Sequence, residues 1–142
     1  MNQNENITLP AGCKLICLPK SLDMRGKLAF GEGGRHLPFD IKRVFWTYDI
    51  TDNNVRGDHA HRTSCQILFP IGGSFCVDLD DGTQVATLRM DDPSVGILIP
   101  PLVWSRQYGF TKHAACVCLA SDFYDAADYI HSYEEFKQLV SK

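Results

Sequence analysis

The sequence predicts an antiparallel β-barrel or jelly roll with a single helix at its C-terminal end. Three observations carry this reading. Short runs rich in β-branched and aromatic residues follow one another through the middle of the chain, turn-forming residues separate them, and helical periodicity occurs only near the end. A parallel sheet would need helical patterns between its strands, and none is seen there.

The first strand falls on residues 41–48, Ile-Lys-Arg-Val-Phe-Trp-Thr-Tyr. Residues 65–70 form an apolar run. Over 74–79, Phe75, Val77 and Leu79 share one face. Asp80-Asp81-Gly82-Thr83 is a hairpin turn of the Asp-Gly kind, so 85–90 returns until Asp91-Asp92-Pro93 breaks it. Residues 95–99 stop at Pro100-Pro101, and 114–120 make a further buried strand. Tyr129, Tyr133, Phe136 and Val140 step by four, three and four, the stripe of a helix. Asp125 or Ser121 caps the turn before it.

A chain of 142 residues is one domain, residues 1–142, long enough to bury a core without staples. Hydrophobic residues at 44% and charged residues at 22% exclude a disordered chain. The net charge of −3 offers no basic excess for a nucleic-acid backbone. No apolar run approaches the ~18 residues of a membrane span, and the polar first six residues lack a signal pattern, so a cytoplasmic location is expected. The six cysteines are not spaced as a zinc finger. Those in strand-like runs read as small buried hydrophobes of a reducing compartment.

Chemistry concentrates in Arg56-Gly57-Asp58-His59-Ala60-His61-Arg62. On a strand His59 and His61 point to one face, where two imidazoles bind a metal or move protons near neutral pH. The string resembles the first cupin motif, with Gln66 where a carboxylate is usual and Gly73 six or seven residues further on. The second motif falls on residues 100–105, with Ser105 in place of a third histidine. Two histidines with a neutral Gln and Ser make a poor metal site. The expectation is a metal-free site without a cofactor, in which the histidines do acid–base work.

A longer ordered set narrows the resemblance. Asp23-Met24-Arg25-Gly26, then 38–44, 56–61 and 101–104, then Ala120 to Asp125, Asp128-Tyr129-Ile130, Tyr133 and Phe136 follow in sequence. Together they resemble the sugar 3,4-ketoisomerases, WxcM-like cupins acting on dTDP-4-keto-6-deoxyglucose, over roughly residues 15–140. The resemblance implies a cupin fold, a homodimer (with residues 1–14 less ordered or exchanged between protomers) and a role in deoxysugar or surface-polysaccharide synthesis. It implies a dTDP-linked keto-deoxysugar as substrate, converted through an enediol from the 4-keto to the 3-keto form. His59 and His61 are the implied catalytic pair, one taking a proton while the other gives one. Arg25 is implied to stabilise the enediolate or hold the diphosphate.

Characterised relatives carry Tyr where this chain has Phe45, so the missing hydroxyl is expected from Tyr48 or, better, Tyr108. Arg56 and Arg106 are candidates for the diphosphate, Gln66 for a hydrogen bond to the substrate, and Trp104 and Phe45 for the pocket wall. Cys65 reads as a plain thiol, and His36, His113 and His131 as non-catalytic. Two alternatives stand beside the isomerase. One is a cupin epimerase, whose catalytic histidine has an acidic partner that the His-Ala-His string does not show. The other is a sugar-nucleotide-binding cupin without turnover.

Overall fold

The computed structural model describes Asn4, residues 6–51 and residues 53–141. Two five-stranded antiparallel sheets make a jelly roll. The first runs in the order β1 (Lys14–Cys17), β9 (Val95–Ile99), β6 (Gln66–Ile71), β11 (Ala115–Ala120), β4 (Arg43–Thr47). The second runs β12 (Tyr129–Ile130), β5 (Arg56–His61), β10 (Trp104–Tyr108), β7 (Phe75–Asp80), β8 (Val85–Met90). A separate hairpin, β2 (Lys20–Asp23) and β3 (Gly26–Ala29), has all eight residues exposed.

Alternation builds the core. Phe75, Val77 and Leu79 of β7 turn inward with Leu88 and Met90 of β8, and meet Leu68, Ile97, Ile99, Cys116 and Cys118 of the first sheet. Burying each large side chain contributes roughly 1.5–3 kcal/mol. The β7–β8 turn forms as predicted. Asp80 and Asp81 accept hydrogen bonds from the N–H groups of Gly82, Thr83 and Gln84, and Gly82 takes φ +96°. The described part of residues 1–14 is packed onto the barrel. Asn4 bridges the backbone of Arg89, and Ile7, Leu9 and Cys13 lie against the core. Met1, Asn2, Gln3 and Glu5 lie outside the described residues.

The C-terminal stripe is divided, contrary to expectation. Asp125 caps a 3₁₀ turn over Ala126–Asp128, and Tyr129–Ile130 pair with His61 and Ala60 as strand. The helix, α1, covers only Tyr133–Val140, capped by Ser132, whose hydroxyl accepts from the Glu135 N–H. Pairing with β5 satisfies the backbone of Tyr129 and Ile130 and takes Tyr129 off the helix. Phe136 is fully buried against Trp104, Ala60 and Ile130 on the outer face of the second sheet. Among the described residues, no helix is long and apolar enough to cross a membrane.

Candidate active site

At one end of the barrel a cavity of about 360 Å³ opens between the sheets. It is lined by Phe45 of β4, Arg56, Gly57 and His59 of β5, Gln66 and Leu68 of β6, Ser105 and Gln107 of β10, Cys116 and Cys118 of β11, and Tyr129 and His131. His59 and His61 share one face of β5, with ring centroids 4.8 Å apart; His59 lines the cavity, and His61 lies buried behind it. The β12–β5 register sets Tyr129 opposite His61, and continuing it brings His131 beside His59. Four rings thus form a two-by-two array, with Tyr129 at 5.0 Å from His59 and 4.5 Å from His61.

A bulge directs Arg56 into the cavity. Ser105 pairs with His59, but Arg106 pairs with Gly57, so Asp58 is the extra residue, at φ +59°. Arg56 therefore falls opposite Gln107, on the cavity side. Gly57 has φ +76°, a left-handed conformation that favours glycine, and a Cβ there would lie 2.8 Å from Gln107 Oε1 and displace the end of that side chain.

Partners fix the tautomers of both histidines. His59 Nδ1 is 3.0 Å from the Gly57 carbonyl, which can only accept, so Nδ1 carries the proton and Nε2 is the free base. Burial, followed by the neighbouring His61, pushes the His59 pKa down to about 4. His61 Nδ1 donates to Asp128 Oδ2 at 2.7 Å. Burial lowers its pKa too, although the hydrogen bond to Asp128 opposes the change. Burial alone would raise the Asp128 pKa. Hydrogen bonds from the Thr63 N–H, His61 and the Thr63 hydroxyl outweigh that and hold it low. Both imidazoles are therefore neutral near pH 7 beside an ionised carboxylate. His61 Nε2 and Gln66 Nε2 are buried without a hydrogen-bond partner.

The profile of the family FdtA: WxcM-like, C-terminal matches residues 11–141. The chain belongs to that family. It is 39% identical over 129 residues to the TDP-4-oxo-6-deoxy-alpha-D-glucose-3,4-oxoisomerase of Aneurinibacillus thermoaerophilus, covering 91% of this chain and 93% of the relative. The WlaRB TDP-quinovose 3,4-ketoisomerase of Campylobacter jejuni superposes with TM-score 0.86 at 37% identity, over 91% and 99% of the two chains. A histidine-to-asparagine variant of the 3,4-ketoisomerase QdtA from Thermoanaerobacterium thermosaccharolyticum, in complex with TDP-4-keto-6-deoxyglucose, superposes with TM-score 0.91 at 32% identity, over 94% and 96%.

Within this WxcM-like barrel, several expected site residues lie elsewhere. Arg25 is at the tip of the β2–β3 hairpin, its side chain 91% exposed and ion-paired with Asp23, and it does not line the cavity. On β10, Ser105 and Gln107 face in, so Trp104, Arg106 and Tyr108 face out. Arg106 is ion-paired with Asp78 at 2.9 Å, the Tyr108 hydroxyl donates to Asp78, and Trp104 Nε1 donates to Asp58. Tyr108 is therefore no substitute for a hydroxyl at Phe45, and Tyr48 is exposed. Trp104 and Arg106 line a larger, outer cavity of about 530 Å³, whose Asp58, Asp78 and Asp80 already have partners. Cys65 is half-buried, consistent with a plain thiol.

Three residues outside the motif join the site. His131, read as non-catalytic, lines the cavity. Asp128 supplies the acidic partner that the His-Ala-His string lacks, so that absence no longer separates isomerase from epimerase. Tyr129 brings a phenol. Asp128 and Tyr129 belonged to the ordered set of motifs, but only the β12 pairing gives them their place.

Proposed function

We propose that this chain is a sugar-nucleotide 3,4-ketoisomerase that converts a TDP-linked 4-keto-6-deoxyhexose into its 3-keto isomer by acid–base chemistry through an enediol. One observation carries the reading: the barrel cavity is served by a neutral His59 whose free Nε2 suits abstraction of the proton at carbon 3, in a chain 39% identical to a curated 3,4-oxoisomerase. Arg56 is the cation placed to meet the diphosphate, and Gln66 Nε2, with no partner of its own, is a donor for a sugar oxygen. The work is done without a metal, in the cytoplasm, as a step of deoxysugar synthesis.

The working unit is a homodimer. Leu22, Met24 and Leu28 of the β2–β3 hairpin and Val44 and Trp46 of β4, an edge strand, present exposed apolar side chains that a second copy would cover. Arg25 has no place in the cavity of its own protomer, so any role in the reaction belongs to the partner's site. Sedimentation equilibrium tests the dimer.

The reaction is tested by incubating the protein with TDP-4-keto-6-deoxyglucose in D₂O and following proton NMR. Loss of the C3 proton signal with appearance of a 3-keto product is expected. Exchange at carbon 5 would support an epimerase, the reading that the His61–Asp128 pair keeps open, and no exchange at all would leave only a binding protein.

A further inference from the structure

Isomerisation needs a base at carbon 3 and an acid at carbon 4, and both histidines present themselves as bases. Their Nδ1 protons are held by the Gly57 carbonyl and by Asp128, and neither Nε2 carries a proton to give. His59 Nε2 gains a proton only by taking the one from carbon 3, so a donor already protonated when the enediol forms comes from another lining group. The hydroxyls of Ser105 and Thr47, the amides of Gln66 and Gln107 and the Arg56 guanidinium hold their protons more tightly than a phenol does. The Cys116 thiol is pushed up to about 12 by burial, and that of Cys118 is also raised, so both are weak donors. Tyr129 and His131 remain.

The geometry points to Tyr129 as the acid that delivers a proton to carbon 4, with Arg43 as the cation that stabilises the phenolate left behind; this rests on the isomerase reading above. Arg43 Nη1 donates to the Tyr129 oxygen at 3.3 Å, which leaves the hydroxyl hydrogen free for another acceptor. The guanidinium is held in place between two rings, 5.0 Å from the centre of Phe45 and 5.5 Å from that of Tyr124. Tyr129 itself sits within 5.0 Å of His59, ring centre to ring centre, so base and acid flank one volume. His131 stacks on Tyr129 at 5.6 Å and also lines the outer cavity, which places it toward the rim.

The step balances internally. His59 Nε2 takes the C3 proton, the C3–H pair becomes the C3–C4 double bond, and the carbonyl pair moves onto O4. The O3–H proton passes to O4. The O3 pair then forms the C3 carbonyl while the double-bond pair takes the Tyr129 proton at carbon 4. The His59 imidazolium returns a proton to the phenolate through solvent. Carbon 3 is oxidised as carbon 4 is reduced, with no outside co-reactant.

The test separates the two half-reactions of Tyr129→Phe in D₂O with TDP-4-keto-6-deoxyglucose. The expected result is C3 exchange within a few-fold of wild type, with 3-keto product formation down ~10²–10⁴-fold. Arg43→Gln keeps the ring and should show the same split at smaller amplitude, which guards against a folding defect in the first variant. Equal loss of exchange and product, unchanged product formation, or a split produced by His131→Gln instead would overturn the assignment. No 3-keto product from the wild-type chain removes both this and the isomerase reading. Product from wild type with no split in Tyr129→Phe removes this one alone.

Discussion

Replacing Asp128 by Asn tests whether the carboxylate fixes His61. Its two oxygens divide their work: Oδ2 accepts from His61 Nδ1 at 2.7 Å, and Oδ1 accepts from the Thr63 N–H at 2.7 Å and the Thr63 hydroxyl at 3.0 Å. Asn has one oxygen. If that oxygen keeps the Thr63 donors, the amide NH₂ faces the His61 Nδ1–H, donor against donor. The imidazole escapes by moving its proton to Nε2 and accepting at Nδ1. One charge-assisted hydrogen bond, worth ~1.5–3 kcal/mol, is exchanged for a neutral one of ~1 kcal/mol, so the net loss is about 1–2 kcal/mol. At roughly 2–4 °C per kcal/mol for a chain of this size, melting falls by about 2–8 °C. Asp128→Ala leaves both the imidazole N–H and the Thr63 N–H buried without an acceptor and costs more, on the order of 3–5 kcal/mol. Calorimetry reads the melting. Long-range ¹H–¹⁵N correlation of the His61 ring reads the tautomer, which a merely structural carboxylate would not set. An Asn variant that melts like wild type with the proton still on Nδ1 refutes the reasoning.

Four further outcomes follow from the same geometry. The folded-state His59 pKa of about 4 lies below its ordinary 6.5, so the unfolded chain takes up the proton first as pH falls. The contribution of His59 to stability is therefore complete above pH 6.5 and lost between 6.5 and about 4. It amounts to at most about 3 kcal/mol, and pH titration of wild type against His59→Gln measures it. The acid limb of kcat/KM should likewise lie well below pH 6.5 rather than at it. Arg56→Ala should weaken TDP binding in calorimetry while Arg106→Ala leaves it unchanged, because Arg106 is ion-paired to Asp78 on the other face of the sheet. Turnover should survive dialysis against a chelator, since neutral Gln66 and Ser105 stand where a metal site would need charged or imidazole ligands; activity that returns only on adding a divalent metal would contradict this.

What could be read in the sequence depended on whether a residue's environment is set by its neighbours in the chain. The β7–β8 hairpin was legible because Phe75, Val77 and Leu79 alternate into a core and an Asp-Gly turn follows. The β2–β3 hairpin was not, because all eight of its residues are exposed and leave no hydrophobic alternation to detect. Tyr129 was misplaced for a sharper reason. Its four-residue spacing to Tyr133 fits a helix, and a two-residue strand has no periodicity of its own to argue against it. Only pairing with β5, far away in sequence, makes Tyr129 a strand residue.

The site divides along the same line. His59 and His61 were found because alternation alone puts them on one face. Parity on β10 also held the answer for Arg106 and Tyr108. With Ser105 at the motif position facing in, residues one and three places on must face out, and proximity in sequence to the motif was the weaker guide. Arg56 obeys the opposite rule for a reason that alternation does not contain. Strict alternation from His59 would send it outward, but the extra residue at Asp58 restores it to the cavity. Two left-handed residues, Gly57 and Asp58, thus decide which arginine faces the cavity. Asp128 lies 67 residues from the histidine it orients, so the base and the group that sets its tautomer meet only when β12 adds to the edge of the second sheet. The order of assembly follows: until the C-terminal segment docks, His61 has no acceptor for Nδ1–H, and the cavity lacks Tyr129 and His131. Acid–base competence is therefore a property of the closed barrel with its tail in place, not of the His-x-His strand that announces it.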